Sequence, residues 1–116
     1  MNIKDYQLKS LRTMNTNISI NEQITNMVFG MNGEIGEVTD LLKKHIFHKH
    51  ILERNELIKE LGDVMFYIVN LATLYNIDME YVLECNYNKL LKRYPFGFNS
   101  EDSKNRRVEN ENISNR

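Results

Sequence analysis

Apolar residues recur every three or four positions along most of the chain, and the strict alternation of a half-buried strand is missing. That spacing predicts helices. A first helix is expected over residues 3–14, with Ile3, Tyr6, Leu8 and Leu11 apolar, followed by a polar, turn-like stretch at 15–19. A second is expected from Asn21 or Glu22 to Phe47. Its stripe of Ile24, Met27, Val28, Met31, Ile35, Val38, Leu42 and Ile46 marks a core-facing helix. Residues 45–55 form a polar connection. A third helix, about 53–75, carries two apolar stripes, Leu57–Leu61–Val64–Ile68–Leu71 and Ile58–Met65–Val69–Ala72. A helix apolar on two sides belongs in the middle of a bundle. Residues 76–78 form a turn, and Asp78 is a good N-cap for a fourth helix reaching about Lys92. The single proline, Pro95, lies in Tyr94-Pro95-Phe96-Gly97-Phe98, which ends that helix. The expectation is an all-α, four-to-five-helix bundle built around an antiparallel pair, helices two and three. Residues 1–98 form the helical domain. Residues 99–116, where only Val108 and Ile113 are apolar, form a polar tail, flexible or docking on a neighbour.

Composition narrows the function classes. At 116 residues the chain holds one domain. A net charge of -1 argues against a nucleic-acid partner, which calls for a basic surplus. The lone Cys85 excludes an intrachain disulfide and suits the reducing cytoplasm. The first ten residues hold three charges and no apolar block, so no signal peptide is expected. No window approaches the ~18 apolar residues of a membrane span.

Two carboxylate pairs stand out against this background. Glu34 and Glu37 lie in Gly33-Glu34-Ile35-Gly36-Glu37, and Glu60 and Asp63 in Glu60-Leu61-Gly62-Asp63. Residues at i, i+3 are neighbours on a helix surface, so each pair points one way along its helix. Half-buried ionised carboxylates cost several kcal/mol, on the order of the penalties for buried ions, unless a positive charge answers them. The pairs are centred at 35.5 and 61.5, and their midpoint, 48.5, falls inside the predicted connection at His48-Lys49. An antiparallel hairpin turning there sets both pairs at one level. Interaxial distances of about 8–10 Å then let them converge on a shared cation. An all-oxygen donor set suits Mg²⁺, with Mn²⁺ as the alternative, over zinc. Mg²⁺ held by carboxylates keeps positions for water and substrate phosphates. The competing reading is four exposed acids paired with Lys43, Lys44 or Lys59. A di-iron bundle ranks low because the Glu-x-x-His motif is missing from both helices.

Gly30, Gly33 and Gly36 form a second stripe on helix two. Each costs about 1 kcal/mol relative to alanine in a helix. The stripe admits either a close neighbour, helix or ligand, or a kink.

The pattern Glu34-x-x-Glu37, twenty-two residues, Glu60-x-x-Asp63 resembles the signature of the MazG-like nucleotide pyrophosphohydrolases of the all-α NTP pyrophosphatase superfamily. Lys43-Lys44-His45-Ile46-Phe47-His48, Asn86-x-x-Lys89-Leu90-x-x-Arg93-Tyr94-Pro95 and Gly97-Phe98-Asn99-Ser100-Glu101 extend the likeness, which runs from about Tyr6 to Arg106. The resemblance implies hydrolysis of a nucleoside triphosphate between the α and β phosphates to monophosphate and pyrophosphate. It implies that Glu34, Glu37, Glu60 and Asp63 hold Mg²⁺ and that Lys89 and Arg93 contact phosphates. It further implies a homodimer or homotetramer with sites near the subunit interface. The residues themselves agree, since Lys89 and Arg93 are i, i+4 on one helix and can neutralise a polyphosphate. Glu37 is the candidate general base. Asn86, one turn before Lys89, and Tyr94 are further candidates for the nucleotide, against a solvated amide and a packed ring. Lys44 and His45 are candidates for a substrate phosphate.

A zinc site at His45, His48 and His50 would need the distant Cys85, and a polar connection commonly carries solvated histidines. Cys85 itself reads as a small buried residue. Two other readings stay open: a non-catalytic helical oligomerisation module with a structural metal, and a hydrolase of a related pyrophosphate such as a phosphoribosyl nucleotide.

Overall fold

The computed structural model describes residues 1–106. Helix α1, Ile3–Ser10, is capped by the Asn2 side chain accepting from the Asp5 N–H. It tightens into a 3₁₀ turn over Leu11–Thr13 where one longer helix was expected. The Ser10 hydroxyl bonds the Gln7 carbonyl 3.0 Å away, a local alternative to continued α-helix. Helix α2, Ile20–Phe47, starts on a capping box in which Ser19 and Glu22 satisfy each other's backbone N–H groups. It closes where Lys49 turns left-handed (φ 58°) and the His50 N–H returns to the Lys44 carbonyl.

Helix α3, Arg54–Leu74, packs along α2 more extensively than any other two helices meet. Two long helices joined by six residues can do this only by running antiparallel, as the symmetric acid spacing requires. The close approach is made at Gly30, where a Cβ would collide with the ring of Tyr67. Tyr67 is in turn braced edge-on by Phe66, with ring centroids 5.2 Å apart. Gly33 and Gly36 meet nothing within 4 Å, so the stripe splits into one packing glycine and two open ones.

Helix α1 docks on α3 through buried polar groups. Asn70, fully buried, donates to Ser10 Oγ (3.1 Å) and to the Phe66 carbonyl (2.9 Å). Gln7 Nε2 donates to Thr73 Oγ1 at 3.1 Å. Each buried donor thereby finds a partner, which such a position demands. These helices form one compact unit, residues 1–76, ended by Asn76 in the left-handed conformation.

The second unit starts at Ile77. Helix α4, Met79–Arg93, begins on the expected Asp78 cap, which accepts from the Glu80 N–H. Its end is braced by Tyr94 and Phe98, ring centroids 5.4 Å apart, around the left-handed Gly97 (φ 87°). A short helix, α5, Ser100–Lys104, was not expected from the polar sequence; Asn99 caps it. The rest of the expected tail, residues 107–116 with Val108 and Ile113, lies outside the described residues. No strand forms among the described residues, and the chain is all-α.

Candidate metal centre

Glu34 on α2 and Glu60 and Asp63 on α3 each offer a carboxylate oxygen within 4.8 Å of the other two. Glu34 and Glu60 are half-buried and Asp63 is exposed. The i, i+3 spacing on α3 puts Glu60 and Asp63 on one side of that helix, and the hairpin brings Glu34 across to them.

The electrostatics are those of a site short of positive charge. The Glu60 carboxyl is pushed above its ordinary value, first by the hydrogen bond it shares with Glu34. Desolvation and the charges of Glu34, Asp63 and Glu56 add to this. Two carboxylates at this range resist ionising together. The ion-paired reading of the four acids fails on its lysines. Lys44 Nζ lies 2.8 Å from Asp40 and Lys59 Nζ 2.9 Å from Glu56. Among the described residues no cation stands within ion-pair distance of Glu34, Glu37, Glu60 or Asp63. Three converging carboxylates with no ion-pair partner among the described residues are a donor set that fits a hard divalent cation.

Glu37, expected as the fourth acid, stands apart from this cluster. It is exposed and lines an adjoining groove of about 200 Å³ with Asp40, Leu41, Lys44, Glu56 and Glu60. Three residues advance a helix by about 300°, so two acids at i, i+3 diverge by roughly 60° around the axis.

Of the other candidates, Lys44 is held by Asp40 at the groove. His45 donates Nδ1–H to the His50 carbonyl at 2.8 Å, within the connection. Asn86, Lys89 and Arg93 lie at i, i+3, i+7 along α4, on one side of that helix in the second unit, and Tyr94 is its C-cap. No metal-binding group forms among His45, His48 and His50.

Sequence reasoning passed over three contributors. Asp40 and Glu56 line the groove beside the cluster, and each has a lysine one turn along its own helix as its visible signal. Tyr6 on α1 lies close enough to Asp63 to feel its charge. Its phenol is raised first by burial and then by that carboxylate. The signal for it was the apolar face of α1, which has to dock somewhere.

The chain is 34% identical over 76 residues to the Gene 37 protein of Mycobacterium phage L5, covering 62% of this chain and 67% of that protein. No solved structure matches the chain significantly. No helix among the described residues is long and apolar enough to cross a membrane. The family model described as the MazG nucleotide pyrophosphohydrolase domain matches residues 22–98, which span the acid cluster, its groove and α4. The chain belongs to the MazG nucleotide pyrophosphohydrolase domain family.

Proposed function

We propose that this protein hydrolyses nucleoside triphosphates (NTP or dNTP) between the α and β phosphates, with Mg²⁺, to nucleoside monophosphate and pyrophosphate. One observation carries the reading. Glu34, Glu60 and Asp63 converge, with no cation within ion-pair distance among the described residues, in a chain whose family is in general metal-dependent. In this reading the three acids hold Mg²⁺, which when bound polarises the phosphoryl group and acidifies water. Glu37, exposed beside Glu60 on the groove, takes the proton from the attacking water. The water oxygen joins one phosphorus of the α–β anhydride while the bridging P–O bond breaks, and pyrophosphate departs. Lys89 and Arg93, with Asn86 and Tyr94, bind the phosphates. Arg93 is the residue able to grip two phosphate oxygens at once.

The working form is a homodimer or homotetramer in the cytoplasm. Among the described residues the only buried apolar side chains are Met14, Met27, Val69 and Met79. Phe29, Ile58 and Leu61 are more than half exposed. Further burial against a second copy is the direct remedy for so small a core.

Incubating the protein with Mg²⁺ and a panel of nucleoside triphosphates, and resolving products by ³¹P NMR, tests this. Monophosphate and pyrophosphate are expected, lost on chelation and reduced at least 100-fold by Glu60→Gln, as for loss of a group acting in the transition state. No turnover of any nucleotide, or unchanged turnover in Glu37→Gln and Asp63→Asn, overturns the reading. Turnover restricted to a phosphoribosyl nucleotide added to the panel moves the substrate class.

A further inference from the structure

The geometry points to Lys44 as the receptor for the far end of the substrate's phosphate chain, with Asp40 as the positioning residue that holds its ammonium at the groove. This rests on the pyrophosphohydrolase reading above. Glu60 belongs both to the acid cluster and to the groove, so the groove is the direct continuation of the candidate centre. Among the described residues six line the groove; four are acids, and Lys44 is the single cation. A polyanion lying along this surface needs a positive partner there, and Lys44 is the one provided.

The level is also right. Lys44 sits ten residues beyond Glu34, about 15 Å along α2, and helical side chains lean back towards the N-terminus. Its Nζ is thereby brought to the height of Asp40, 2.8 Å from the carboxylate and about 9 Å beyond Glu34. A chain of three phosphates covers that span from the cluster, and a single phosphate does not. The facing acid, Glu56, is already occupied by Lys59.

The chemistry of the pair fits a hand-over. Both partners are half-exposed, at 47% each, and exposed ion pairs hold weakly. A lysine ammonium is a compact charge with rotatable donors, able to keep one partner while it gains another. Asp40 therefore stores the ammonium in place without locking it, and Glu37 also draws it towards the groove.

Calorimetric binding of an α,β-methylene nucleoside triphosphate, and separately of the monophosphate, both with Mg²⁺, tests the assignment. Lys44→Met is expected to weaken the triphosphate about tenfold, the scale of one charge-assisted hydrogen bond. It leaves monophosphate affinity and the thermal midpoint unchanged, and in turnover it raises KM with kcat held. Lys44→Arg retains most of the affinity. Asp40→Asn weakens triphosphate binding in the wild-type background and has no effect when combined with Lys44→Met. Wild-type triphosphate affinity in Lys44→Met overturns the assignment while leaving the hydrolase reading intact. Equal loss for monophosphate and triphosphate also overturns it, since the effect is then not one on the chain's far end. Failure of the wild-type protein to bind the triphosphate overturns both.

Discussion

Alanine substitution along the glycine stripe of α2 has an expected change of sign. At all three positions alanine gains about 1 kcal/mol of helix propensity. At Gly30 the added methyl would occupy space held by the Tyr67 ring, which is braced by Phe66. Overpacking of that kind costs about 1–3 kcal/mol, so Gly30→Ala is destabilised by about 1 kcal/mol net. For a domain of this size that lowers Tm by roughly 5 °C. At Gly33 and Gly36 nothing opposes the gain, and each alanine raises Tm by roughly the same amount. Circular dichroism melts at one fixed protein concentration read this directly. In a Tyr67→Ala background the obstacle is gone and Gly30→Ala becomes stabilising, a coupling that a double-mutant cycle isolates. The contact also sets how near α2 comes to α3, so Gly30→Ala reduces the Mg²⁺-induced rise in Tm more than Gly33→Ala does. If Gly30→Ala melts as high as Gly33→Ala, the interhelix contact that brings Glu34 to Glu60 and Asp63 is refuted.

Other consequences follow from the acids, the buried amide and the uncovered apolar residues. Glu60 is raised above its ordinary value near 4.5, so the folded, metal-free protein binds more protons than the unfolded chain just above that pH. The Glu60 contribution to stability therefore falls as pH rises from about 4.5 through the raised value and then levels off, opposite in sign to those of Glu22 and Asp40, whose carboxyls are lowered. The Tm gain with Mg²⁺ grows over the same interval because protons and cation compete; a gain that does not vary with pH contradicts this. Asn70→Ala strips partners from Ser10 and Phe66 inside the protein and costs about 2–3 kcal/mol in urea unfolding; a loss under 0.5 kcal/mol removes the α1 docking network from the account. Analytical ultracentrifugation is expected to give at least twice the 13.8 kDa chain mass. Leu61→Glu, on the exposed side of α3, lowers that mass, and a wild-type monomer refutes self-association.

What the sequence revealed, and what it hid, divides along physical lines. Spacing along a helix is visible in a sequence, so the level at which Glu34 meets Glu60 and Asp63 followed from counting to the hairpin turn. Side-chain reach is much less visible, so the convergence of Glu34, Glu60 and Asp63 ahead of Glu37 is legible only in the structure. The start of α2 at Ile20, just ahead of the expected Asn21 or Glu22, is set by the Ser19-x-x-Glu22 capping box, a signal that lies outside the apolar stripe. Helix α5 has the same kind of signal, Asn99 followed by Glu101 and Asp102, but no apolar stripe, and periodicity cannot find a polar helix. Asn70 was hidden by its neighbours, since an amide in the most apolar helix becomes meaningful only when Ser10 is placed against it. The two lysines that engage Asp40 and Glu56 instead of the cluster were equally out of reach, because i, i+3 and i, i+4 partners on a charged helix face are too numerous to rank.

The central claim is that Glu34, Glu60 and Asp63 together hold a divalent cation. Electron paramagnetic resonance of Mn²⁺ titrated into the protein, reading free ion directly and with Mg²⁺ as competitor, tests it without any turnover. The expected result is saturable binding displaced by Mg²⁺ and weakened at least tenfold by each of Glu34→Gln, Glu60→Gln and Asp63→Asn, while Glu56→Gln binds as the unaltered protein does. Binding that survives all three substitutions, or that falls equally with Glu56→Gln, contradicts it.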